Sequence, residues 1–188
     1  MPALPREKLD AGLDHVGAAP ADAGRLELLV RRPEVERREL RESGTLDLEL
    51  GLVGDVWPRK GTSSTADGGP NPDAQITVMN ARAAALVAGS DDPADWAPAG
   101  DQLYIDMDIG KANLPPGTRL AIDDAILEVT AEPHLGCGKF SRRFGVDALK
   151  FVNSDAGRAM RLRGLNAKVV VGGEIAVGAA VRKLPEAR

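Results

Sequence analysis

Apolar residues recur along this chain at two different spacings. Leu9, Leu13 and Val16 fall at helical intervals and Gly17 follows as a stop, so residues 5–16 are predicted to form a short amphipathic helix. From residue 25 the spacing tightens. Arg25-Leu26-Glu27-Leu28-Leu29-Val30-Arg31 predicts a strand that Pro33 ends, and residues 36–41 predict the next. Leu46, Leu48, Leu50 and Leu52 alternate with Asp47, Glu49 and Gly51, a pattern open to an edge strand or a loose helix. Gln75-Ile76-Thr77-Val78 is a short strand, and Asn80 is the expected N-cap of a helix over residues 81–87 that Gly89 closes.

From Asp101 the pattern is mainly β, with strands over residues 103–108, 119–122 and 125–130 and a turn at Leu114-Pro115-Pro116-Gly117. Residues 141–152 read as a helix with Phe144, Leu149 and Val152 among its apolar positions, and residues 157–162 as a further turn. Strands over 167–171 and 174–177 are joined by Gly172-Gly173, which predicts a hairpin. Two long loops interrupt this framework. Residues 58–74 are rich in Gly, Ser, Thr, Pro and Asn, and a loop of that length in a compact domain is often functional. Residues 90–100 hold Trp96, whose ring is expected to cover the edge of the core. Many short strands with few helices predict a mostly β barrel or sandwich. No repeat, heptad run or linker divides the chain, so one domain is expected over 1–188, with a helical lead-in over 1–24 and the core over 25–184.

Composition narrows the class. With 188 residues, 43% apolar and 28% charged, disorder and collagen-like structure are excluded. The longest aliphatic runs, such as Val169-Val170-Val171, fall far short of the roughly 20 residues of a membrane span. The N-terminus lacks a basic segment followed by an apolar one. A cytoplasmic protein with no membrane partner is therefore expected. Cys137 is the single cysteine, so no internal disulfide can form, and Cys137 with His15 and His134 cannot make a zinc finger. Six aromatic residues and no recognisable binding motif argue against a nucleic-acid partner. The net charge of −4 hides an asymmetry: residues 137–188 carry eleven Lys/Arg against four Asp/Glu, a net +7, which leaves −11 for the rest. The basic third begins at the only thiol and suggests an anionic partner there; solvated faces without a ligand are the alternative.

Familiar catalytic signatures are missing. There is no Gly-x-Ser-x-Gly, no Walker-type loop, no His-Glu-x-x-His and no EF-hand, and Gly136-x-Gly138 lacks the third glycine of a dinucleotide fingerprint. Acid pairs such as Asp106/Asp108 and Asp123/Asp124 read as solvated charges. What remains is Pro133-His134-Leu135-Gly136-Cys137-Gly138-Lys139-Phe140-Ser141-Arg142-Arg143, between a strand and a helix. Gly136 and Gly138 let backbone N–H groups approach an anion and leave the sulfur open, while Lys139, Arg142 and Arg143 favour thiolate over thiol. The alternative is a buried cysteine acting as a small hydrophobe. His134, three residues before the thiol, either acts as a general base or orients the thiolate, or else caps the strand end or bonds a backbone group. Trp57 either lines a cleft or packs partly buried; the directions of Arg161 and Arg163 stay open.

The cysteine loop resembles that of the MOSC domain, the module named after the C-terminal part of molybdenum-cofactor sulfurases, and is most similar to small stand-alone bacterial members. Supporting matches run through most of the chain: Gly51-Leu52-Val53-Gly54-Asp55, Gln75 to Arg82, Ala99-Gly100-Asp101-Gln102-Leu103, Leu114-Pro115-Pro116-Gly117-Thr118, Ile126 to Thr130, and later Gly157-Arg158, Leu162-Arg163-Gly164 and Gly173-Glu174-Ile175. The resemblance implies a mostly β, twisted barrel with a few short helices and the cysteine in a cleft. It implies that Cys137 carries sulfur as a persulfide or contacts the molybdenum of a bound molybdopterin cofactor. Lys139, Arg142, Arg143, Gly136 and Gly138 would then serve the cofactor's phosphate or the thiolate, with His134 beside them. Some members of the family reduce N-hydroxylated compounds with that cofactor and an external electron donor; a non-catalytic binding module is a further alternative. Two positions depart from the family pattern: Val56-Trp57 stands where many relatives have a basic residue and His, and Gly178-Ala179 where Gly-Asp is common. No pyridoxal-phosphate desulfurase region is recognisable, so a separate sulfur donor such as a cysteine desulfurase is the expected partner, with a sulfur acceptor or electron-donor protein downstream.

Overall fold

The computed structural model describes residues 3–61 and 65–185. Its centre is a closed seven-stranded barrel: β1 (Ala23–Arg31), β6 (Leu103–Asp106), β5 (Ile76–Asn80), β9 (Leu165–Val171), β8 (Ala125–Val129), β7 (Arg119–Ile122) and β11 (Ala180–Lys183), which returns to β1. All pairs are antiparallel except β5–β6. Parallel neighbours need a crossover, and α3 (Ala81–Ala88) supplies its helix. Asn80 caps α3, its side chain accepting from the Ala83 N–H, and Gly89 ends it in the left-handed conformation, as the sequence predicts. β1 is nine residues long, so one of its edges serves two partners, β11 at Ala23–Arg25 and β2 (Glu39–Arg41) at Leu29–Arg31. A separate three-stranded sheet joins β3 (Ser43–Asp47), β4 (Gly51–Leu52) and β10 (Gly173–Ala176).

Two apolar clusters explain why the strands differ in pattern. Leu26, Leu29, Ile76, Val78, Leu103 and Ile105 point into the barrel, while Leu28, Val30, Met79 and Tyr104 point outward beneath the helices. β1, β5 and β6 are thus buried on both faces and read as nearly continuous apolar runs, with a bulge between Leu26 and Leu28 shifting β1's register. β7 and β8 have water on one face and keep strict alternation. Trp96 covers the outer cluster as expected, its indole N–H donating to the Ser90 carbonyl. Among the described residues no helix is long and apolar enough to cross a membrane.

Several boundaries differ from the sequence reading. The first helix breaks at Gly12 into α1 (Arg6–Ala11) and α2 (Leu13–Gly17), at a position where a Cβ would lie 2.5 Å from Leu86. Residues 36–38 do not join the second strand, since Glu36 sits in the left-handed region at φ 67° and only β2 pairs. The leucine alternation is a small hairpin, β3 turning into β4. The helix expected over 141–152 is two, α4 (Gly138–Phe144) and α5 (Val146–Val152), divided at Gly145, whose φ of 92° no L side chain takes readily. α6 (Asp155–Ala159) replaces part of the last expected turn. The 58–74 loop holds two short 3-10 turns, and residues 62–64 of it lie outside the described set. Gly172-Gly173 is not a hairpin turn: β9 pairs with β5 and β8, whereas β10 pairs with β3. The glycines serve a crossing between sheets, where a Cβ would meet the Leu46 carbonyl at 2.9 Å or the Asp124 backbone at 2.8 Å.

Candidate functional site

Cys137 is the N-cap of α4 and is exposed. The loop before it is tied to α5: the Gly136 N–H donates to Asn153 Oδ1 at 3.0 Å, and Asn153 Nδ2 donates back to the Gly136 carbonyl at 3.1 Å. Gly136 has to be glycine there, because a Cβ would lie 2.8 Å from Leu149 and 3.0 Å from Val152. Gly138 faces only the far end of Arg142, so its lack of a side chain is not required by packing. Partial burial pushes the thiol's pKa up. The backbone N–H groups of Phe140 and Lys139, then the charges of Arg163 and Lys139, outweigh that and hold it below the ordinary cysteine value.

The sulfur opens onto a cleft of about 370 Å³ between the helical layer and one end of the barrel. Six cations line it: Arg32, Arg38, Lys60, Lys139, Arg143 and Arg163. Two are fixed by carboxylates fully removed from water. Arg32 grips Asp55 bidentately, Nε to Oδ2 and Nη2 to Oδ1 both at 2.9 Å, and also donates to the Gly100 carbonyl. Arg163 donates to Asp101 Oδ2 at 2.6 Å and to the Ala99 carbonyl, and its guanidinium lies 5.1 Å from the Phe140 ring centroid. The other oxygen of Asp101 accepts from His134 Nε2 at 2.7 Å. Burial pushes the Asp101 carboxyl up, but Arg163 and His134 together pull it down to about 2. Burial, then the Arg163 charge, holds His134 below the ordinary histidine value against the pull of Asp101. With Asp101 ionised, His134 donates through Nε2, and in the neutral form that burial favours Nδ1 is left as an acceptor.

The rim is built differently. Glu36 reaches across from the β1–β2 connection to pair with Lys139 at 3.2 Å and with Arg143, whose other nitrogen donates to the Pro98 carbonyl at 2.7 Å. Both partners, Lys139 by hydrogen bond first, hold the Glu36 carboxyl below its usual value. Lys60 makes no ion pair among the described residues, and burial, then Arg32 and Lys139, lower its pKa. The buried side-chain polar atoms without a hydrogen-bond partner among the described residues are Arg38 Nε, Arg163 Nε and Asn166 Oδ1. All three atoms are buried, on residues whose other atoms line this cleft.

Of the residues singled out in the sequence, Cys137, His134, Lys139 and Arg143 share the cleft. Arg142 does not; it is exposed on the outer side of α4, because i and i+1 positions of a helix face apart. His134 caps no strand and binds a carboxylate instead. Trp57 both lines the cleft and packs, and Arg163 turns inward to Asp101. Arg32, Arg38, Lys60, Asp55 and Asp101 were not distinguished as site residues by the charge count, because three cations come from the acidic part of the chain. The one available signal was positional: Asp55 and Asp101 each sit in a Gly-Asp pair at the mouth of a loop.

The fold is shared with solved bacterial proteins. The YuaD protein from Bacillus subtilis superposes with a TM-score of 0.65 at 15% identity, over 85% of this chain and 94% of that one. YiiM from Escherichia coli gives 0.56 at 16% identity over 87% and 71%, and YiiM from Geobacillus stearothermophilus 0.53 at 12% over 89% and 75%. At these identities the likeness is one of fold. No family model matches the sequence, and no curated protein does.

Proposed function

We propose that this chain is a MOSC-type domain in which Cys137 is the working group, contacting the metal of a phosphate-bearing molybdenum cofactor seated in the cationic cleft. The observation that carries the reading is the pairing of an exposed, thiolate-favouring cysteine with a cleft lined by six cations. The mostly β barrel that the resemblance implies, and the fold shared with YuaD and YiiM, support it.

The residues present fit such a group. A soft thiolate suits a metal–sulfur centre, and Arg38, Lys60 and Lys139 suit phosphate. The cofactor, when bound, supplies oxygen-atom and electron transfer at molybdenum. The protein's part is to hold and orient. The Phe140 and Lys139 N–H groups favour the Cys137 thiolate, Asp101 fixes Arg163 and the His134 tautomer, and His134 Nδ1 stays an acceptor. Reduction of N-hydroxylated compounds would use the same arrangement with an external electron donor.

The sulfur's exposure favours a second reading, in which Cys137 accepts sulfur from a cysteine desulfurase and holds it as a persulfide. One preparation tests both. Protein made in a cofactor-producing host is assayed for molybdenum by elemental analysis, and apo protein is incubated with a cysteine desulfurase and cysteine for intact-mass measurement. Metal that copurifies with wild type and is lost in Cys137→Ser supports the cofactor reading. A reducible gain of one sulfur in wild type alone supports the persulfide. Metal and sulfur loading unchanged by Cys137→Ser would overturn both.

A further inference from the structure

Behind the segment that carries His134 lies a second cavity of about 280 Å³, which the Cys137 reading does not use. The two spaces share the wall Glu132 to Leu135 and Arg163, but Cys137, Lys139 and Arg143 line only the first. Leu135, Val152 and Leu165 give the second cavity an apolar surface, and Lys111, Arg158 and Arg161 supply its cations. None of these three cations is in an ion pair among the described residues. Glu132 is the acid in the lining, and it makes no ion pair there either.

Arg161 is the unusual member. It is held in the left-handed region at φ 51°, a conformation that non-glycine residues take rarely, within the tight loop that leads to Arg163 on the wall between the two cavities. Its Nη1 donates to the Leu114 carbonyl at 2.6 Å and the Ile109 carbonyl at 3.3 Å. Those bonds fix the guanidinium plane, and Nε and Nη2 have no acceptor among the described residues. Nε–H and Nη2–H are parallel donors, the fork that matches the two oxygens of a carboxylate. The side chain is half-buried, and burial disfavours its charge with no neighbouring acid to compensate.

We propose that this cavity binds a small amphipathic carboxylate, its head on the Arg161 fork with Arg158 and Lys111 beside it, and its short apolar body against Leu135, Val152 and Leu165. The volume admits a compact ligand such as a short-chain carboxylate. A fixed planar fork favours a carboxylate, and the apolar wall favours one with a hydrocarbon body over a free inorganic anion. The site needs neither Cys137 nor anything bound beside it.

Calorimetric titration of the full chain with sodium hexanoate, and separately with inorganic phosphate, tests this. Hexanoate should saturate wild type and bind more tightly than phosphate. Lys111→Gln with Arg158→Gln, both at exposed positions that should fold, should weaken hexanoate at least about tenfold. Arg161→Lys, which keeps the charge and removes the fork, should weaken it as well, while Cys137→Ser leaves it unchanged. The proposal is overturned if hexanoate does not saturate, if phosphate binds equally well, or if the double variant binds like wild type. Weakening by Cys137→Ser alone would also overturn it, by placing the ligand in the first cleft.

Discussion

The deep wall and the rim of the Cys137 cleft both pair cations with carboxylates, yet they are different kinds of object. In the wall, Asp55 and Asp101 are fully buried and each satisfies several donors with both oxygens. In the rim, Glu36 is over half exposed, and Lys139 is as well. A buried carboxylate cannot be exchanged, because releasing it strands an arginine in a dry environment. An exposed one sits in water already, and an incoming anion can take its place at little cost. The wall therefore sets the geometry of the cleft, and the rim is where a ligand's charge competes with the protein's own.

The largest effect should come from breaking the wall. Asp101→Ala leaves Arg163 buried without its partner and His134 without its acceptor, and should lower stability by about 3–5 kcal/mol in chemical denaturation. A second substitution, Arg163→Met, should restore part of that loss. The same pair predicts an acid limb. Asp101 titrates at about 2 in the folded protein against roughly 3.9 unfolded, so its contribution is complete above about pH 4 and is lost as pH falls towards 2. His134, also lowered, adds a loss that begins below its unfolded value, since the unfolded ring takes up a proton that the folded ring resists. Denaturation midpoints measured from pH 7 downward should fall in wild type and fall less in Asp101→Asn. Equal acid limbs would remove Asp101 from the account.

Gly136→Ala should come next. The added methyl meets Leu149 and Val152 inside 3.1 Å, an overpacking cost of about 1–3 kcal/mol, whereas Gly138→Ala meets nothing nearer than 3.8 Å and should be tolerated. Thermal denaturation of the two variants side by side separates a loop glycine required by packing from one that is not.

The barrel was legible because its strands sit in contrasting environments. β7 and β8 announce themselves by Leu, Ile and Val between turn residues, and β1 and β5 by apolar runs broken only by Glu27 and Thr77. The Gly172-Gly173 crossing was misread because a glycine pair looks the same whether it turns tightly or lets two backbones pass. At the site, Cys137, Lys139 and Arg143 were visible because one short segment carries them. Arg32, Arg38 and Lys60 were not, since they come from loops that precede Cys137 by 105, 99 and 77 residues, and no local pattern marks where the barrel will bring them. Charge counted along the sequence placed the basic surface in the last third. Folding draws half of the cleft's cations from the acidic remainder.

The rim should answer more gently than the wall. Glu36→Gln removes the carboxylate that pairs with Lys139 and Arg143 without touching a buried group. Lys139 favours the Cys137 thiolate, so freeing it from Glu36 should shift the thiol's pKa further down. The pH dependence of alkylation by iodoacetamide reads this directly: the rate profile should move to lower pH than in wild type, with folding unchanged. A shift to higher pH, or none, would mean that Glu36 does not restrain the charges around the sulfur.

Arg142→Gln supplies the smallest effect and the sharpest control. Arg142 shares α4 with Lys139 and Arg143 and adds the same charge to the sequence count, but it is exposed and outside the cleft lining. Its guanidinium approaches Gly138 but is solvated, and the high dielectric of water weakens its pull on the thiol. The alkylation rate should stay within about twofold of wild type, while Lys139→Gln should slow it at neutral pH, because both the charge and the rim pairing are lost. If the two variants behaved alike, the thiol would be responding to the helix's total charge and not to which side chains the fold turns into the cleft.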